Sequence, residues 1–128
     1  KLAHPERKVV AVTGDAGFLM NSQEIETAMR LNIAIVILIW NDASYGLIEW
    51  KQQNQFGRTS NVKFNNPDFI QYAQSFGATG VRINKTEELM PALKTALDSH
   101  TVTVIDCPVD YRENLKLTES LSQLTQPT

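Results

Sequence analysis

Short apolar runs alternate along this chain with segments whose apolar positions recur every three or four residues. Lys8 to Thr13 (KVVAVT) is a β-branched run of the kind buried in parallel sheets. Ile33 to Trp40 (IAIVILIW) is apolar at every position, which predicts a central strand covered on both faces. Gly80 to Ile83 (GVRI) and Thr101 to Cys107 (TVTVIDC) predict two more strands, the last ended by Pro108. Helical spacing fills the intervals. From Asn21 onward, Ile25, Ala28, Met29 and Leu31 share one face, with Asn21 or Ser22 as the cap, Glu24 and Glu26 in the first turns and Asn32 as the stop. Leu47 to Phe56 is a mixed segment compatible with a helix. Asn66-Pro67 opens another, with proline at the first helical position, Asp68 in the first turn, a buried face of Phe69, Ile70, Tyr72, Ala73 and Phe76, and Gly77 as its end. Thr86 is expected to cap the last helix, whose stripe is Leu89, Leu93, Ala96 and Leu97.

Strands separated by helices predict an α/β fold: a doubly wound, mainly parallel sheet with right-handed crossovers and helices on both faces. Two segments stand outside that pattern. Gly57 to Asn66 (GRTSNVKFNN) is a polar loop of a length that is often functional, and residues 110–128 form a polar tail with scattered leucines.

Composition narrows the class. With 128 residues the chain is expected to be a single domain, and 42% hydrophobic against 20% charged residues fits a packed core. Twelve basic residues face 14 acidic ones, so the charge balance points to neither nucleic acid nor an anionic membrane as partner. The longest apolar run has eight residues, far short of the roughly 20 that a membrane helix needs. A single cysteine, Cys107, excludes an internal disulfide, reads as a small core residue and fits a reducing cytoplasm. The first strand follows only a few polar residues, and the candidate site lies close behind it; both suggest a piece of a larger enzyme.

That candidate site is carried by Val9 to Gly46. Each of its two strands delivers an aspartate at the carboxyl end, Asp15 after the first and Asp42 after the second. Ligands of open α/β sheets bind at that edge. Paired carboxylates there suit a hard cation such as Mg²⁺, which shares its coordination between carboxylates and phosphate oxygens. Gly14 to Gly17 is expected to form a turn, whose small residues Ala16 and Gly17 let backbone N–H groups approach an anion ahead of a helix. Neither GxxxxGK[ST] nor GxGxxG is present. An aspartate after glycine is also an ordinary turn former, so the pair alone leaves a purely structural role open. A receiver-type phosphoacceptor pocket would want a lysine after a later strand, and Cys107-Pro108 supplies none.

The residues resemble a known family. Gly14-Asp15-Ala16 followed 27 residues on by Asn41-Asp42, within strand–helix–strand, resembles the motif of thiamine diphosphate (ThDP) enzymes. GFLMNSQEIETAMRL, WNDASYG, GRTSNVKF, DFIQYAQSFGATG and PVDYREN are similar to the catabolic, FAD-independent acetolactate synthases, over Val9 to about Asn114. The resemblance implies the ThDP-binding fold, here as the diphosphate-binding C-terminal part of the enzyme. It implies Asp15, Asp42 and the backbone carbonyl of Ser44 as ligands of Mg²⁺, and the N–H groups of Ala16 and Gly17, beside Gly14, as partners of the ThDP diphosphate. Tyr45, Gly46, Leu47 and Ile48 would run along the cofactor toward its thiazolium and the substrate. Asn41 would orient the turn.

The implied reaction decarboxylates pyruvate and condenses it with a second pyruvate to 2-acetolactate. The glutamate that activates the cofactor would come from the pyrimidine-binding domain of a partner subunit, within a homo-oligomer, so no catalytic side chain falls in this chain. Glu24, Glu26 and Glu49 read as solvated or packing residues. Two positions depart from the family pattern: Lys51 stands where glutamine is usual, and Leu47 where methionine is common. Trp50 is a candidate wall of the substrate pocket. The competing readings are another ThDP enzyme, of pyruvate oxidase or glyoxylate carboligase type, and a non-catalytic flavodoxin-like assembly module.

Overall fold

The computed structural model describes residues 1–111 and resolves β1 (Val10–Gly14), α1 (Asp15–Asn21), α2 (Glu24–Arg30), β2 (Val36–Asn41), α3 (Gly46–Phe56), α4 (Phe69–Ser75), β3 (Thr79–Arg82), α5 (Thr86–Asp98) and β4 (Thr103–Pro108). From Arg112 on, the expected polar tail, and with it the end of PVDYREN, lies outside the described residues.

Among the described residues the strands form one sheet in the order β1-β2-β4-β3, every neighbouring pair parallel. As expected from its unbroken apolar run, β2 is central: Val36, Ile37, Leu38 and Ile39 are all buried. Helices cover both faces. On one, α1, α2 and α4 bring Phe18, Ile25, Ala28, Phe69 and Ala73 onto Ile37, Ile39, Val102 and Val104. On the other, α5 brings Leu89, Leu93, Ala96 and Leu97 onto Val36, Leu38, Ile105 and Cys107. Cys107 is therefore the core residue its pattern suggested.

The local expectations need five corrections. The apolar stripe after Gly14 belongs to two helices, because the chain bends at Ser22-Gln23; Asn21 ends α1, and neither it nor Ser22 caps α2, whose N-cap is Gln23. Gly14 to Gly17 is not a turn: Gly14 is the N-cap and Asp15 the first residue of α1. Gly17 packs closely on β1, since a Cβ there would lie 3.0 Å from Thr13 Oγ1 and press on that side chain. Asp68, not Asn66-Pro67, starts α4, its carboxylate accepting from the N–H groups of Ile70 and Gln71. Thr86 is the first residue of α5 and not its cap; Glu88 reaches back to the N–H groups of Asn84 and Lys85.

The fifth correction concerns β1. Its sequence reads as buried, yet Val10 and Val12 are 38% and 56% exposed, because the strand lies at the sheet edge and neither valine joins the core under α5. Asn32 does stop α2, in the left-handed conformation at φ 52° that asparagine tolerates.

Candidate functional site

The parallel register sets Gly14 beside Trp40, so β1 and β2 end together and their next residues share one rim of the sheet. Asp15 is the first residue of α1 and is buried; Asp42 follows β2 directly. The Asp15 carboxylate is held on three sides. Oδ1 accepts from the N–H of Ala16 at 2.8 Å, and Oδ2 accepts from the N–H of Ala43 at 2.8 Å and from Asn66 Nδ2 at 2.6 Å. It thus ties the start of α1 to the turn after Asp42. Ala43 adopts φ 52°, a conformation costly for a residue with a Cβ, and the strain sits between Asp42 and Ser44.

Asp42 Oδ1 accepts from the N–H of Ser44 at 3.2 Å. Gly46 lies close to its other oxygen: a Cβ there would come within 3.0 Å of Asp42 Oδ2, so any larger residue at the start of α3 would press on the carboxylate. Burial, and then the negative charge of Asp15, push the Asp42 carboxyl above its ordinary value; the opposing pull of Lys63 is weaker. Burial and the charges of Asp42 and Asp15 also push the Tyr111 phenol up, which sets that residue within electrostatic reach of the rim.

The polar loop closes over the turn. Ser44 and Lys63 form an antiparallel bridge, with Tyr45 N–H donating to the Val62 carbonyl at 2.9 Å and Phe64 N–H to the Ala43 carbonyl at 3.2 Å. The Tyr45 and Phe64 rings pack 4.9 Å apart, and Val62 is buried beneath. Glu49 accepts from the Ser44 hydroxyl at 2.6 Å and from Lys63 Nζ at 2.8 Å, and both bonds hold its carboxyl below the ordinary range. Glu49 is therefore a clamp between α3 and the loop, which corrects its reading as a solvated or packing residue.

The chain thus gathers Gly14, Asp15, Ala16, Gly17, Asp42, Ser44, Tyr45 and Gly46 at one rim. Leu47 and Ile48 follow on the exposed side of α3, a helix with no buried residue. Lys51 is exposed there and Trp50 half-buried. Two residues that sequence reasoning passed over complete the geometry. Asn66 reaches Asp15 across 51 positions, with no local signal to announce it. Asp106 is fully buried under the rim; the one sign of it was a carboxylate inside the apolar run TVTVIDC.

Among the described residues no three His, Cys, Asp or Glu side chains converge as a metal cluster. The donors at hand are two carboxylates and backbone oxygens, a set too small to enclose a cation but suited to one that brings phosphate oxygens with it. The mutual repulsion of Asp15 and Asp42 is what such a cation would relieve. Gly14 is bordered by open space, so its backbone is free to be approached. The residues fit a Mg²⁺-diphosphate group. Among the described residues no helix is long and apolar enough to cross a membrane.

Comparison with known proteins agrees with this geometry. Residues 1–107 match the family described as "Thiamine pyrophosphate enzyme, C-terminal TPP binding domain". The chain is 43% identical over 116 residues to an acetolactate synthase of Bacillus subtilis (strain 168), covering 91% of this chain and 20% of that protein. It is 44% identical over 113 residues to a catabolic acetolactate synthase of Raoultella terrigena, covering 88% of this chain and 20% of the other. Among solved structures, the ThDP-dependent 4-hydroxybenzoylformate decarboxylase of Rhodococcus jostii RHA1 superposes with a TM-score of 0.81 at 26% identity, over 88% of this chain and 21% of that one. The chain therefore spans about a fifth of the length of these relatives. A parallel sheet that ends in two buttressed aspartates, and a family match over almost all of the described residues, lead to one conclusion: this chain belongs to the thiamine pyrophosphate enzymes, as their C-terminal TPP-binding domain.

Proposed function

We propose that this chain is the diphosphate-binding domain of a larger acetolactate synthase, a single domain at the C-terminal side of that enzyme, and that it holds Mg²⁺ and the diphosphate of ThDP. The observation that carries the reading is the pair Asp15 and Asp42 at adjacent parallel strand ends, close enough that the charge of one raises the pKa of the other. On this reading the two carboxylates and the Ser44 backbone carbonyl hold Mg²⁺. The N–H groups of Ala16 and Gly17, beside Gly14, receive the diphosphate oxygens, Ala16 exchanging its bond to Asp15 Oδ1 for one to phosphate. Tyr45, Gly46, Leu47 and Ile48 run along the cofactor toward its reactive ring.

When bound, ThDP supplies the electron sink that lets pyruvate lose CO₂ and join a second pyruvate as 2-acetolactate. The chain's own residues anchor the diphosphate, fix its direction and shut water out. The activating glutamate belongs to the pyrimidine-binding domain of a partner subunit in a homo-oligomer. The uncovered apolar residues of α3 support such a neighbour: Leu47 and Phe56 are 67% and 62% exposed, and a helix with no buried residue gains little stability from its own packing. A single buried thiol fits a reducing compartment, and we assign the enzyme to the cytoplasm.

A second reading, another ThDP decarboxylase or carboligase, is favoured by the structural likeness to a decarboxylase. Titration calorimetry of Mg²⁺-ThDP into the full-length protein tests the site. Asp15→Ala and Asp42→Ala are each expected to lose most of the affinity, and unchanged binding in both would return the domain to an assembly role. Product analysis with pyruvate then separates the enzymes: acetolactate supports the first reading, acetyl phosphate or acetaldehyde the second.

A further inference from the structure

Asp15 belongs to a longer chain of side-chain hydrogen bonds that runs under the rim of the sheet. Arg82 Nη1 donates to Asp106 Oδ2 at 2.8 Å, and Asn41 Nδ2 donates to Asp106 Oδ1 at 2.9 Å. Asn66 Nδ2 then donates both to Asn41 Oδ1, at 2.9 Å, and to Asp15 Oδ2, at 2.6 Å. Three strands and the lead-in to α4 are joined in this way.

The direction of every bond in the series is forced. The Asp106 carboxylate can only accept from Asn41, so the Asn41 amide must turn its nitrogen to Asp106 and its oxygen to Asn66. Asn66 must then present its nitrogen to Asn41, and the same nitrogen meets Asp15. A flipped Asn66 would set its oxygen against both the Asn41 oxygen and the Asp15 carboxylate. The orientation has a cost: Asn66 Oδ1 is buried and has no partner among the described residues. An arrangement that gives up one buried acceptor to keep a donor on Asp15 serves the carboxylate more than the fold.

From this geometry we infer that Asn66 is a positioning residue for the cation site, held in register by Asn41 and Asp106, and that it fixes which oxygen of Asp15 faces the cation. With Oδ2 occupied by Asn66 and Ala43, Oδ1 is the oxygen with the greater free capacity to ligate. This rests on the proposed reading of Asp15 and Asp42 as ligands. Residues that orient a metal-bound group act mainly on metal affinity, commonly by about 10–100-fold. They should also act on selectivity: Mg²⁺ demands near-ideal octahedral geometry, whereas Ca²⁺ accepts irregular ligand sets, so a carboxylate free to turn penalises Mg²⁺ more.

The test uses full-length protein with Asn66→Ala and, should that not fold, Asn66→Ser, with Asp42→Ala as the reference. ThDP binding is followed by calorimetry across a titration of Mg²⁺ and, separately, of Ca²⁺, and the melting temperature of the cofactor-free protein is recorded. The expected result is a rise of about 10–100-fold in the Mg²⁺ concentration for half-saturation, a smaller rise for Ca²⁺, and a cofactor-free melting temperature close to that of the parent. If Asp42→Ala weakens binding while the Asn66 variant keeps the parental Mg²⁺ dependence, the positioning role is refuted and the ligand reading stands. Equal losses for Mg²⁺ and Ca²⁺ with a lowered melting temperature assign Asn66 to the fold alone and refute it as well. If Asp42→Ala has no effect either, the ligand reading fails, and the inference with it.

Discussion

Asp106 offers a sharp test of how the rim is held. Asp106→Asn keeps the shape of a fully buried side chain and therefore opens no cavity. It changes what two donors meet. Asn41 Nδ2 and Arg82 Nη1 each need an acceptor, at 2.9 Å and 2.8 Å, and an asparagine can offer only one oxygen. One donor is left facing an NH₂ group, which costs about 1–3 kcal/mol, and the other loses charge assistance worth roughly 1 kcal/mol. The Arg82 side chain is 48% exposed and can turn to water, so the lower half of the sum applies. About 2–3 kcal/mol remains, or roughly a 30- to 150-fold faster opening of β4, taking about 1.4 kcal/mol per factor of ten. Hydrogen exchange of the amides of Val104 to Cys107, measured in the full-length protein, reads this locally and needs no two-state unfolding of a larger enzyme. Exchange within about threefold of the parent would show that Asn41 and Arg82 do not depend on the Asp106 charge, and the chain of forced orientations would lose its anchor.

Three further outcomes are expected. Gly80→Ala would set a Cβ 2.7 Å from Ile70 Cα and 2.8 Å from its carbonyl oxygen, so α4 must back away from β3; an overpacking cost of about 1–3 kcal/mol should appear as faster exchange in both elements, and unchanged protection of α4 would refute it. Burial and the neighbouring Asp106 push the Cys107 thiol above its ordinary value of 9.0, so the unfolded chain ionises first; stability contributed by the neutral thiol is fully present below pH 9.0 and falls as pH rises past it. At pH 8 an aromatic disulfide reagent should label Cys107 only on denaturation, and rapid labelling of the native protein would count against this. Glu49 is shifted the other way, chiefly by the hydrogen bonds from Lys63 and Ser44. Its contribution is present above 4.5 and lost as pH falls toward the lowered folded value, so tryptic cleavage after Arg58 should accelerate in Glu49→Gln at neutral pH; equal rates in parent and variant would argue against the clamp.

What the sequence could tell, and what it could not, follows from the range of each interaction. Asp15 and Asp42 were legible because each directly follows a recognisable strand, and parallel strands that end in register must deliver their next residues to one rim. The covering of β2 was legible from its own composition. The bareness of Val10 and Val12 was not, because what covers a face depends on which elements lie beside it and not on the run itself. Gly17 looked like a turn glycine because the sequence does not distinguish a glycine that turns the chain from one that packs closely; it lies inside α1, against Thr13. Asn66 and Asp15 meet because Phe18 of α1 and Phe69 of α4 pack edge to face with centroids 5.5 Å apart, and no pattern within either segment encodes that.

Both flanks of the site depend on the one segment that looked irregular. Residues 57–68 supply Asn66 to Asp15, and they supply Lys63 to Glu49, which in turn holds the Ser44 hydroxyl. Val62 and Phe64 pin the turn at Ala43 to Tyr45 from the same loop. The strand ends bring two carboxylates to one rim, which any parallel pair with aspartates in these positions would do. The loop orients the Asp15 carboxylate through Asn66 and holds the backbone of the turn that follows Asp42. Asp15 and Asp42 are thus kept together against their repulsion by bonds formed on folding. A cation entering such a site relieves that repulsion without first having to order the turn. On the proposed reading, part of its affinity is therefore stored in the loop, and changes between Gly57 and Asn66 should alter cofactor binding even where they touch neither aspartate.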